Sequence, residues 1–107
     1  MKPLSEEQVG LITRRAGALS DSTRVRILEV LDRAPQRVSD IAIELGTQHS
    51  TISRHLQVLF TAGLVNRRRE ASAVVYSIAS PGLVAWCRWL GETSLGDPSV
   101  KSGSRGR

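Results

Sequence analysis

The chain has 107 residues, 15 Lys and Arg against 10 Asp and Glu, a formal charge of +5, and one cysteine. That length suits a single domain, and 40% hydrophobic residues are enough for a small core. The apolar runs fall short of the ~20 residues of a membrane helix, the opening Met1–Glu7 is no apolar signal segment, and Cys87 has no second cysteine to pair with. A cytoplasmic protein without a membrane partner is expected. Nucleotide-binding glycine motifs, zinc-protease motifs and an identifiable Ser/His/Asp set are missing, so neither an enzyme nor a cofactor is expected. Phe60, Tyr76, Trp86 and Trp89 are the whole aromatic complement, so the core must be aliphatic. Charge is uneven: residues 1–53 hold seven basic and seven acidic side chains, and residues 54–107 hold eight and three. The entire basic excess lies in the second half, which points to a polyanion as partner.

In chain order, Ser5 and Gln8 have the spacing of a capping box and open a helix to about Leu19, with Val9, Ile12, Ala16 and Leu19 on one face. Ser20 and Asp21 are start signals for a second helix, 21–33, which should carry Val25, Leu28 and Leu31 inward, with Ile27 nearby, and end at Pro35. Ser39-Asp40 should begin a short helix from Ile41 to Leu45, stopped by Gly46. Almost at once a fourth helix runs from His49 to Ala62 and ends at Gly63. Two helices joined by so short a turn form a helix-turn-helix. The period then changes to that of two strands, Leu64–Arg69 and Ala73–Ile78, around Glu70-Ala71-Ser72. A basic hairpin directly after the second helix of a helix-turn-helix is a wing. Pro81 suits the first turn of a fifth helix ending near Glu92. Residues 93–107, rich in Ser and Gly, read as a disordered basic tail, which leaves 1–92 as the folded domain.

In the fourth helix Ile52, Leu56 and Leu59 form the buried stripe. Ser50, Ser53, Arg54 and Gln57 then face outward, with no carboxylate to repel DNA. Arg54 suits bidentate contact with guanine, and the hydroxyls and amide can take bases or phosphates. Gln48, His49 and Thr51 lie at the helix N-terminus, whose free backbone N–H groups favour an anion. Arg67, Arg68 and Arg69 add positive charge on the hairpin. The other reading of the same face is a winged-helix module that meets an acidic protein.

The stretches ALSDSTRVRILEVL, VSDIAIELGTQHSTISRHLQVLFTAGLV and VVYSIA resemble the ArsR/SmtB family of bacterial winged-helix repressors over roughly residues 16–90. The resemblance implies a homodimer on an inverted-repeat operator, released by an inducer whose identity stays open. It puts base reading at His49, Ser50, Ser53 and Arg54, and the wing along the flanking backbone or minor groove. Two departures stand out: Gln48-His49 where Ser-Gln is frequent, and Ala71-Ser72 where the wing tip often has glycine followed by a basic residue. Arg67, Arg68 and Arg69 should then carry more of the phosphate binding, with a steep salt dependence. The resemblance further implies dimerisation through the first and last helices, using Val9, Ile12, Leu83, Trp86 and Leu90. Trp86 and Trp89 also suit the wall of a small-ligand pocket.

The positions at which such proteins hold metal carry Arg37 and Ser39 at one site and Ser80, Gly82, Thr93 and Gly96 at the other. None suits a metal, so no metal site is expected. His49 and His55 are about 240° apart around their helix and cannot chelate one ion; His55 reads as a hydrogen-bonded structural residue. Cys87 is either a small buried side chain or a redox-responsive thiol at the dimer interface. The fold expected is therefore mainly α: a homodimeric winged helix-turn-helix of five helices with a two-stranded wing.

Overall fold

The Ser5 hydroxyl accepts from the Gln8 backbone N–H at 3.1 Å, and the Gln8 side-chain Oε1 accepts from the Ser5 N–H at 2.8 Å, which closes the capping box ahead of α1 (Glu6–Ala18). In the computed structural model, which describes residues 1–92, four more helices follow: α2 (Ser22–Arg33), α3 (Val38–Leu45), α4 (His49–Thr61) and α5 (Leu83–Glu92). The expected tail 93–107, with Thr93 and Gly96, lies outside the described residues. The strands are β1 (Gln36–Arg37), β2 (Val65–Glu70) and β3 (Ala73–Ile78). None of the described helices is long and apolar enough to cross a membrane.

Asp21 caps α2 by accepting from the N–H groups of Thr23 at 2.8 Å and Arg24 at 3.2 Å. The α3 and α4 ends share one device. After α3, Gly46 has φ 62°, and Thr47 N–H bonds Ala42 O at 3.0 Å. After α4, Gly63 has φ 78°; its own N–H bonds Phe60 O at 3.0 Å and Leu64 N–H bonds Leu59 O at 2.9 Å. Both are Schellman closures, which need a left-handed residue that glycine supplies without strain. They set where the chain leaves each helix, and so aim α4 after α3 and the hairpin after α4.

The sheet differs from expectation. It has three strands in the order β1-β3-β2, all antiparallel, with Gln36 opposite Tyr76 and Arg37 opposite Val75 on one side of β3. On the other side the hairpin pairs Val65 with Ile78, Arg67 with Tyr76 and Glu70 with Ala73. A two-residue strand has no alternation to reveal it. The extended chain after Pro35 borrows the free edge of β3, and α3 starts at Val38, directly after β1, with no side-chain cap. The Ser39-Asp40 start is thus corrected. The fifth helix also begins later than proline placement suggests: Pro81 and Gly82 form a turn, with Leu83 N–H bonded to Ser80 O at 3.2 Å.

Ile27, Leu28, Ile41, Ile52, Leu56, Leu59 and Val65 are the largest fully buried side chains, and Tyr76 and Val84 close the core around them. Val25 is not inside: it is 38% exposed, beside a small pocket shared with Leu28, Val84 and Cys87. The inner side of α2 is instead Ile27, Leu28, Val30 and Leu31. Leu56→Ala should therefore cost about 2–5 kcal/mol in denaturant unfolding, whereas Val25→Ala should stay within about 0.5 kcal/mol.

Candidate nucleic-acid interface

Helix α4 is polar where it faces away from the core. Ile52, Leu56 and Leu59 are fully buried, while His49, Ser50, Ser53, Arg54 and Gln57 are exposed and Thr51 is half-buried. Gln48 occupies the N-cap and makes no side-chain cap bond, so no side-chain acceptor occupies the first N–H groups of α4. Arg54 meets no hydrogen-bond or ion-pair partner among the described residues. Of the two acids on the preceding helix, Asp40 lies in its first turn and Glu44 is paired with Arg33.

The hairpin brings its arginines beside this face. Ser53, Arg67, Arg68 and Arg69 line one groove of about 480 Å³, with Val38, Val74 and Tyr76 as its apolar wall. Gln48, His49, Ser50, Thr51 and Arg54 lie outside it. Arg68 pairs with Glu70 at 2.8 Å, and the Arg67 guanidinium lies 4.0 Å from the Phe60 ring centroid while donating to Gln57 Oε1 at 3.4 Å. Phe60 escaped the sequence reading. An aromatic three residues beyond Gln57 was the available signal, but it becomes meaningful only once β2 is seen to run past α4.

A second set of contacts ties α1 to the helices behind this face. Arg24 donates to Ala18 O at 2.7 Å and to Gly17 O at 3.4 Å at the end of α1, and lies 3.2 Å from His55 Nδ1 on α4. A guanidinium only donates, so Nδ1 accepts and the ring proton sits on Nε2, 3.9 Å from Asp21 Oδ1. His55 is thus a structural histidine, as its place at the edge of the buried stripe suggested. Arg15 donates to Ala62 O at 3.3 Å and so caps the end of α4 from α1. The Arg24 backbone N–H is the main reason the Asp21 carboxyl lies below the ordinary carboxylate value; partial burial opposes it, and the Thr23 N–H and the Arg24 charge assist.

Of the residues expected at a dimer interface, Val9, Ile12, Trp86 and Leu90 are exposed and Leu83 is half-buried. Ile12, Leu83 and Trp86 meet across an open, largely apolar groove of about 620 Å³ between α1 and α5; Val9 and Leu90 lie beyond it. Cys87 is half-buried on the other side of α5, and burial pushes its thiol up, the opposite of the shift that activates a cysteine. Arg37 lies in β1, Ser39 in the first turn of α3, and Ser80 and Gly82 in the turn before α5.

Helix-turn-helix, hairpin wing and flanking helices define a winged helix-turn-helix domain. A family model described as "Bacterial regulatory protein, arsR family" matches residues 21–67. The solution structure of a homodimeric winged helix-turn-helix DNA-binding domain from Mycobacterium bovis, Mb0332, described as a possible ArsR-family transcriptional regulator, superposes with a TM-score of 0.76 at 30% identity. That match covers 86% of this chain and 91% of the other. The HTH-type transcriptional regulator Rv0081 of Mycobacterium tuberculosis is 38% identical over 66 residues, 61% of this chain and 58% of the relative. The match therefore spans less than two thirds of that relative's length. The transcriptional repressor SdpR of Bacillus subtilis is 30% identical over 73 residues, 68% of this chain and 81% of that protein. This chain belongs to the ArsR family.

The lowered Asp21 carboxyl gives a pH test. A carboxyl whose folded-state pKa is depressed stabilises the fold above its unfolded value, and that contribution is lost as pH falls through the folded value. Asp21→Asn keeps a capping oxygen but cannot titrate. Its melting temperature should fall less than that of the wild type between neutral pH and about pH 3.

Proposed function

We propose that the protein binds operator DNA as a homodimer and represses transcription, with α4 of each protomer reading one half-site in the major groove. The observation that carries this reading is the outward face of α4, where Ser50, Ser53 and Arg54 stand exposed opposite a sealed apolar stripe. Arg54 suits the O6 and N7 acceptors of guanine, and His49, Ser50 and Ser53 suit neighbouring base edges or phosphates. Gln48 and Thr51 flank the open helix N-terminus, which favours a phosphate. The wing then follows the flanking backbone.

The dimer is supported by the apolar side chains of α1 and α5 that one protomer leaves in water, and by the homodimeric state of Mb0332. A two-fold dimer presents two α4 helices to successive major grooves about 34–36 Å apart, and such symmetry calls for an inverted repeat. SdpR, described as a transcriptional repressor, supports repression over activation. Action on a bacterial promoter fits the cytoplasm.

The test is selection of bound sequences from random DNA. A two-fold symmetric consensus is expected; recovery of no preferred sequence at any salt concentration overturns the reading. Arg54→Ala should cost about 1–3 kcal/mol on the selected site and relax the preference at one base pair per half-site. Leu90→Glu should shift sedimentation from dimer to monomer and abolish discrimination between full and half sites.

A further inference from the structure

We infer that the three wing arginines have three separate tasks, and that Arg67 and Gln57 brace the wing against the reading helix instead of contacting DNA; this rests on the DNA-binding reading above. Both ends of the Gln57 amide are engaged within the protein. Its Oε1 accepts from Arg67 Nη1 at 3.4 Å, and its Nε2 donates to Thr61 Oγ1 at 3.5 Å. Arg67 is held from a second side by the Phe60 ring, 4.0 Å from its Cζ. Phe60 is itself half-buried against the core, so the ring is a fixed platform. Gln57 and Phe60 are one helical turn apart and share a face, so Arg67 on β2 grips α4 at two successive points.

Arg68 is committed differently. Its pair with Glu70 at 2.8 Å matches its charge within the strand, and a phosphate would have to compete with that carboxylate. Arg69 meets no hydrogen-bond or ion-pair partner among the described residues and shares the groove with Ser53. Three adjacent arginines therefore offer the DNA backbone one uncommitted cation. Arg67 is a positioning residue, Arg68 is held in reserve by Glu70, and Arg69 is the phosphate contact.

Charge counting separates these tasks, because each neutralised phosphate contributes about −0.9 to the slope of log affinity against log salt. On the selected operator, Arg69→Ala should flatten the slope by about 0.9. Arg67→Ala should leave the slope unchanged and weaken binding about three- to tenfold at every salt concentration. Phe60→Leu removes no charge, yet should weaken wild-type binding to a similar degree and add nothing in the Arg67→Ala background. Gln57→Ala should leave the selected consensus intact. Equal flattening by Arg67→Ala and Arg69→Ala, or a base preference lost in Gln57→Ala, overturns the assignment. A readout without DNA separates this from the reading beneath it: in the free protein, NMR should find the Arg67 side-chain protons shifted upfield by the Phe60 ring, and Phe60→Leu should remove the shift. Its absence overturns the brace whether or not the wild type selects a sequence, and its presence sustains the brace even if no sequence is selected.

Discussion

Everything at the proposed interface depends on the burial of one stripe. Ile52, Leu56 and Leu59 are each at 0% exposure, and sealing side chains of this kind contributes about 1.5–3 kcal/mol apiece. A rotation of α4 about its axis would expose part of that stripe and drive Ser53 or Arg54 toward the core, where an unpaired guanidinium is far costlier. The buried side thus fixes the outward side. The left-handed glycines at 46 and 63 add the other constraint: they set where α3 and α4 stop, and hence how far along its axis the polar face extends.

Helix α1 is held by other means. Only Ala18 of α1 is buried, so little apolar area secures it to the rest of the protomer. Its contacts to neighbouring elements include two arginines: Arg15 reaches from α1 to the end of α4, and Arg24 reaches from α2 to the closing carbonyls of α1. These bonds are directional, where apolar packing is not. They orient α1 relative to α4 while Val9 and Ile12 remain turned to solvent. A helix secured in this way can give its hydrophobic side to a second molecule without loosening from its own.

Much of this was legible in the sequence, and the failures share a cause. Ser5 and Gln8 announced a cap, glycines at 46 and 63 announced helix ends, and the spacing of Ile52, Leu56 and Leu59 announced the buried side of α4; each is a local signal within a few residues. Val25, β1 and the start of α5 were misread because their state depends on what packs beside them. Val25 has helical spacing, but only a small pocket next to α5. Gln36 and Arg37 become a strand only because β3 offers an edge. At the interface, the polar face of α4 was readable as chemistry, and the arginines as a run. The Arg68–Glu70 pair is local to β2, but the hold of Phe60 and Gln57 on Arg67 was not readable, because it depends on β2 running past α4.

The hairpin tip carries a further consequence. Ala71 is the one non-glycine among the described residues with positive φ, 57°, and it occupies the first position of a two-residue turn that ordinarily favours glycine. An alanine there costs roughly 1–2 kcal/mol of backbone strain, but it denies the turn the many conformations that glycine would explore. The wing is thus ordered during folding, and little conformational entropy remains to be lost at the moment of association.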